Sequence, residues 1–270
     1  MNISIFKPKH ALLQKYISSY FFLEQSETEI SDFLIFPSLS PNFSFSINTS
    51  TEVINNNRVI TKQSKPNSVE SFLIADNSKP MHYTYSGKIY ELSISFKPLG
   101  INAFLPKDLN YYVNKGYVSH FPYDDIQKTL MRILKIPNKE EAIDALETYL
   151  ISIYKPFKHV FLVHVVEDFF ETKGNFNIAA ITKKHQLSRQ TLNTYFKKYI
   201  CRSAVESKRI IRFRCASENF FQDTITELTY DVHYFDQSHL IKDFKAFTGL
   251  TPKQFFAQIY TTADSHIMWI

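Results

Sequence analysis

One pattern occurs twice towards the C-terminal end of this chain, and it restricts the fold more than any other feature. The first copy is NFNIAAITKKHQLSRQTLNTYFKKY (175–199) and the second is TITELTYDVHYFDQSHLIKDFKAFTGL (224–250). Each reads as a short amphipathic helix, a tight turn and a longer second helix. In the first copy Ile178 and Ile181 share a face with Leu187 beyond the turn. Ser188 stands where an N-cap is wanted, and Leu192, Phe196 and Ile200 recur at every fourth position. In the second, Ile225, Leu228 and Val232 form the stripe of the short helix. Asp236 can cap the next helix, whose apolar side is Leu240, Phe244 and Phe247. Gly249 stops it and Pro252 opens another helical turn. The helical run from Ala204 to Phe220 lies between the copies and reads as a rigid linker.

A helix-turn-helix presents its second helix to a DNA major groove. Early residues of that helix reach base edges, and flanking cations hold phosphate. The charge distribution agrees. Residues 183–214 hold ten basic side chains against one acid, Glu206. Residues 151–270 carry 16 basic and 11 acidic side chains, whereas residues 1–150 carry 15 of each, so the net +5 sits entirely in the repeated half. The base-reading candidates of the first copy are Arg189, Gln190, Asn193 and Thr194, with Lys197 and Lys198 on phosphate. Gln190 or Asn193 suits adenine and Arg189 suits guanine. The second copy offers Gln237, Ser238, His239, Lys242 and Lys245, and Arg202 and Arg212 are further phosphate candidates. Taken singly, each is also an ordinary solvated helix position.

The segment ELTYDVHYFDQSHLIKDFKAFTGLTPKQF (227–255) resembles the signature of AraC/XylS-type bacterial transcription regulators. Glu227, Leu228, Tyr234, Phe235, Asp236, Gln237, Ser238, His239, Phe244, Lys245, Gly249, Pro252 and Phe255 fall in matching places, as do Leu187, Ser188, Leu192, Phe196 and Arg212 of the first half. The resemblance spans about residues 155–260 and extends weakly to YISSYFFLE and SFKPLG near the front. It implies double-stranded DNA as partner, a front region that binds a small effector or forms a homodimer, and contact with RNA polymerase in an activator. In such a protein His239 braces either the phosphate backbone or its own helix. The chain departs from the pattern at Thr229 and His233, where a small residue and a glycine are usual, and at Gln190 and Thr194, where arginines are common. Cys201, Arg202, Ser203 and Ala204 replace a Gly-x-Ser-Pro turn.

Ahead of the repeats, short apolar runs follow one another at close to ten-residue spacing between Phe33 and Phe96, separated by Pro, Asn, Ser and Gly. They read FLIFPS, NFSFSIN, EVINNNRVITKQ, VESFLIA, MHYTYSG and IYELSISF. His10–Tyr20 is open to a short helix. If Ile89, Leu92, Ile94 and Phe96 all face inward, a bulge or register change near Glu91 is required. The aromatic stretch Phe104, Leu105, Tyr111, Tyr112, Tyr117 and Phe121 can wall a ligand cavity or simply pack. Helices follow at 126–134 and around 143–153, and Pro156 marks a boundary.

The expected fold class is therefore α+β. A mostly antiparallel β region, a barrel or sandwich that the resemblance makes cupin-like, is followed by helices. An all-α region with two helix-turn-helix motifs on a linker helix completes it. The expected domains are 1–155 for sensing or dimerisation, 156–260 for DNA binding, and a tail at 261–270. The nine histidines form no HxH or HExxH pattern, Cys201 and Cys215 lack ligand-like partners, and five glycines leave no GxGxxG or P-loop. Neither a metal, a cofactor nor catalysis is expected. No apolar run approaches a membrane span and no leader pattern opens the chain, so a reduced, cytoplasmic protein is expected. The alternative is a protein-interaction module on a degenerate helix-turn-helix scaffold.

Overall fold

Among the described residues, every strand of the front region belongs to one of two sheets. The computed structural model describes residues 1–55, 57–74, 79–113, 122–123, 125–219, 234 and 236–261. The strands are β1 (Asn2–Phe6), β2 (Ile17–Gln25), β3 (Ile30–Ile35), β4 (Asn42–Ile47), β5 (Thr49–Ile54), β6 (Arg58–Gln63), β7 (Val69–Ile74), β8 (Met81–Ser86) and β9 (Ile89–Phe96). One sheet has the order β1-β2-β9-β4-β7 and the other β3-β8-β6-β5. All pairs are antiparallel except β6–β8. Of the two expected forms, this is a sandwich rather than a closed barrel.

The five-stranded sheet is covered on both faces, which changes how its sequence must be read. Phe43, Phe45, Leu92, Ile94 and Phe96 pack under the helices α2 (Ile126–Leu134) and α3 (Lys139–Ile153), with Leu130, Ile133, Ile143 and Leu146 opposite. The other face meets Phe33, Tyr83 and Tyr85 of the second sheet. Ile89 belongs to that second core, and β9 pairs with β2 and β4 without a break near Glu91. The four residues therefore do not all face one way, and neither the bulge nor the register change that a common facing would require occurs near Glu91. Serines and Glu91 share the inter-sheet side because they satisfy one another. Tyr85 donates to Glu91 at 2.7 Å, Ser93 donates to it at 2.8 Å, and Ser44 and Ser93 lie 2.6 Å apart. Burial pushes the Glu91 carboxyl above its usual range, and these hydrogen bonds oppose the shift.

Two other expectations change locally. EVINNNRVITKQ divides into β5 and β6, turning at Asn55 with φ +50°. In His10–Tyr20 the helix is a single 3-10 turn at Leu13–Lys15, because β2 begins at Ile17 and pairs with β9.

A short helix, α1 (Leu109–Val113), precedes α2, and six further helices complete the described chain. They are α4 (Val160–Glu171), α5 (Ile178–Lys184), α6 (Arg189–Ile200), α7 (Ala204–Asn219), α8 (Gln237–Thr248) and α9 (Pro252–Thr261). Their core joins Leu162, Val165 and Phe169 of α4 to Leu192 and Phe196 of α6, Phe213 of α7, Leu240 and Phe244 of α8, and Phe255 of α9. It also takes in Phe36, Leu39 and Leu99 from the front region. The short helix expected around Ile225, Leu228 and Val232 lies outside the described residues. So do Glu227, Thr229, His233, Phe235, Tyr117, Phe121 and the tail from 262 onward.

Candidate nucleic-acid interface

The first motif is built as its residues require. The Asn177 side chain caps α5 by accepting from Ala179 N–H at 2.8 Å. Leu187 N–H donates to Thr182 O across the turn at 2.8 Å, with Gln186 left-handed at φ +53°. Ser188 Oγ accepts from Thr191 N–H at 2.9 Å and caps α6. Burial of Leu192, Phe196 and Ile200 turns the opposite side outward, so Arg189, Gln190, Thr194, Lys197 and Lys198 are exposed and Asn193 is half-buried. The end of α6 carries a positive field. Burial, then Lys198 and Lys158, hold His159 below the usual imidazole range, and its Nε2 lies 2.8 Å from the Tyr199 hydroxyl.

Not every candidate has its polar groups to spare. Asn193 Oδ1 accepts from Ala204 N–H at 3.1 Å and so caps the linker helix α7, while Thr194 Oγ1 donates to Gln190 O at 3.0 Å. A bidentate pairing with adenine uses both groups of an amide, and exposed Gln190 has both to offer. Arg202 is only 5% exposed, next to Cys201, which ends α6 in a left-handed conformation (φ +64°) at the place where the resemblance puts glycine. Arg212 is half-buried with its guanidinium 4.9 Å from the Tyr234 ring centre.

In the second motif Asp236 Oδ1 accepts from His239 N–H at 2.9 Å and caps α8. Leu240, Phe244 and Phe247 face the core, and Gln237, Ser238, His239, Lys242 and Lys245 are exposed. Gly249 closes the helix at φ +78°. The α8 helix is held on the linker by residues that periodicity alone did not single out. Arg209 donates through Nε to Asp243 Oδ1 at 2.9 Å and lies within 2.8 Å through Nη2, while Tyr234 donates to Asp243 Oδ2 at 3.2 Å. Burial, then the Asp243 carboxylate, push the Tyr234 phenol far up. The available signal was an acid at position 243, on the same side as Leu240, Phe244 and Phe247.

A second acid steadies the first motif. Asp168 of α4 takes Lys184 Nζ and His185 Nε2, each at 2.7 Å, at the end of α5. The hydrogen bond from Lys184, aided by that from His185 and opposed by burial, depresses the Asp168 carboxyl below its ordinary 3.8. A depressed carboxyl stabilises the fold fully above its unfolded value and loses that contribution as pH falls through the folded one. The urea midpoint should therefore decline below about pH 4, and Asp168→Asn should flatten the decline. An unchanged pH slope in the variant would assign the acid sensitivity to other groups.

Comparison with known proteins converges on this region. The family described as "Helix-turn-helix domain" matches residues 181–258. That segment is a helix-turn-helix domain and bears out the AraC/XylS-type resemblance of the repeated half. No curated protein matches the sequence. Among solved structures, ToxT from Vibrio cholerae in its P21 form aligns with a TM-score of 0.45 and 12% identity, covering 88% of this chain and 97% of that one. ToxT from Vibrio cholerae O395 bound to (E)-4-(8-methylnaphthalen-1-yl)but-3-enoic acid aligns at 0.44 and 10%, covering 88% and 97%. Unsaturated fatty acid bound ToxT from strain SCE256 aligns at 0.42 and 12%, covering 94% and 93%. Those likenesses are too loose to carry an argument about ligand or mechanism. Among the described residues, no helix is long and apolar enough to cross a membrane.

Proposed function

We propose that the protein is a sequence-specific transcription regulator whose helices α6 and α8 read adjacent major grooves. The observation that carries this reading is the shared design of the two helices. Each is capped by a side chain at its N-terminus, buried along one stripe, and exposed along a row of amide, hydroxyl and basic groups. In the first motif Arg189 and Gln190 read bases, with Asn193 and Thr194 assisting through whatever groups their local bonds leave. Lys197 and Lys198 attach to phosphate. In the second, Gln237, Ser238 and His239 meet bases or the adjoining backbone, and Lys242 and Lys245 meet phosphate. Arg212 can add a phosphate contact from its half-buried place, whereas Arg202 does so only if the turn after α6 opens. Residues 1–155 act as the sensing or dimerising part and 156–260 as the reader. A small molecule bound in front, or pairing through it, alters how the readers are presented.

Selection of random duplex DNA by the full-length protein tests the proposal. A bipartite site with centres about 10 base pairs apart should be enriched, since one helical turn separates adjacent major-groove faces. Binding that is salt-sensitive but enriches no sequence would refute specific reading.

A further inference from the structure

The front region grips the reader at two separate places. At the first motif, Asn102 donates through Nδ2 to the carbonyl of Tyr199 in the last turn of α6 at 2.9 Å, α1 packs against α6, and Asp108 lies 3.9 Å from Lys198. At the second, Phe36 is 1% exposed, with its ring centre 5.1 Å from Phe255 of α9 and 6.4 Å from Phe213 of α7. Leu99 is buried in the same apolar cluster.

One turn carries both Leu99 and Asn102. Leu99 is left-handed at φ +68°, a conformation that a branched side chain adopts at a cost and keeps only where its surroundings impose it. Its surroundings do impose it. Asn102 donates to Leu99 O from both its backbone (3.1 Å) and its side chain (3.1 Å). Gly100 lies so close to Tyr16 that an added Cβ would stand 2.0 Å from Tyr16 O. The turn thus buries Leu99 in the helical core and brings Asn102 to the end of α6.

We propose that Phe36, Leu99 and Asn102 are positioning residues for DNA reading. They make the front region a second strut, in addition to α7, that fixes where α6 stands relative to α8. The inference rests on the two-reader function proposed above. Two binding units joined rigidly reach a high effective concentration at one separation only, and loosening the joint spreads it over several. The strut therefore sets the spacing that the protein accepts between its two half-sites, while base choice stays with the recognition helices.

The test measures affinity for the selected site and for versions with base pairs inserted or removed between its halves. It compares the natural chain with Phe36→Leu/Asn102→Ala and with Asn102→Ala alone, and urea melts verify folding. The natural protein should prefer its best spacing by about tenfold or more, and the double variant by about threefold or less, with affinity for the best site reduced by a few-fold. The single variant should fall between them and supplies the answer if the double variant fails to fold. A spacing profile that is unchanged in folded variants would reduce these contacts to ordinary packing and overturn the proposal. Failure of the natural protein to select any site would instead remove the two-reader function, and the strut with it.

Discussion

Phe213→Ala is expected to destabilise the protein by about 3–5 kcal/mol and to abolish selective DNA binding with it. Phe213 is 0% exposed, and its ring centre lies 5.1 Å from Phe244 and 5.2 Å from Phe247 of α8. Phe36 and Phe255 stand on its other neighbours' side at 6.4 Å each. Truncation would open a cavity where α7, α8, α9 and the front region meet. None of these can move in to fill it without giving up contacts of its own. Phe213→Leu keeps most of the volume and should cost less than about 2 kcal/mol. Urea denaturation of the full-length variants gives the first number, and duplex binding below the unfolding transition gives the second. A loss under about 1 kcal/mol for the alanine variant would show that the site collapses readily and is not the keystone of the helical core.

Replacing Lys197, Lys198, Lys242 and Lys245 together with glutamine should weaken duplex binding roughly a hundred- to thousandfold near physiological salt. The slope of log affinity against log salt should fall by about 3–4, close to one per lost phosphate contact. All four side chains are exposed, so the urea midpoint should hardly change. The weakening should extend to unrelated duplexes, because phosphate attachment carries no sequence information. Loss of affinity with an unaltered salt slope would mean that these residues touch bases or water instead.

Much of this arrangement was legible in the sequence where the cause is local. Ser188 and Asp236 cap their helices because a short polar side chain before an apolar stripe has few better places to put its oxygen. Gly249 ends α8 because it reaches a positive φ without a Cβ clash. Alternation in NFSFSI yields β4 for an equally local reason. What escaped depends on contacts distant in sequence. Nothing around Phe36, in a proline-flanked loop, tells that its partners are Phe213 and Phe255. The polar side of β9 is another such case, because alternation does not tell which face a second sheet covers. In the structure Glu91, Ser93 and Ser44 lie between two sheets and satisfy one another. At the reader surface, residue type and helix position selected the exposed row. They could not reveal that the Asn193 oxygen is committed to Ala204, that Arg202 is covered, or that Asp243 ties α8 to Arg209.

The apolar seam through Phe36 and Leu99 also bears on the order in which the molecule is made. Both residues leave the ribosome before any helix of the reader, so the sandwich that carries them can form while their partners are still untranslated. Until Phe213 and Phe255 emerge, the nascent front region presents a bare aromatic side chain to its surroundings. The reader, arriving last, completes its core on a template already in place. Translation thus supplies the two parts in the sequence that their shared core needs, and a chain stalled before α7 would expose a surface suited to capture by a chaperone.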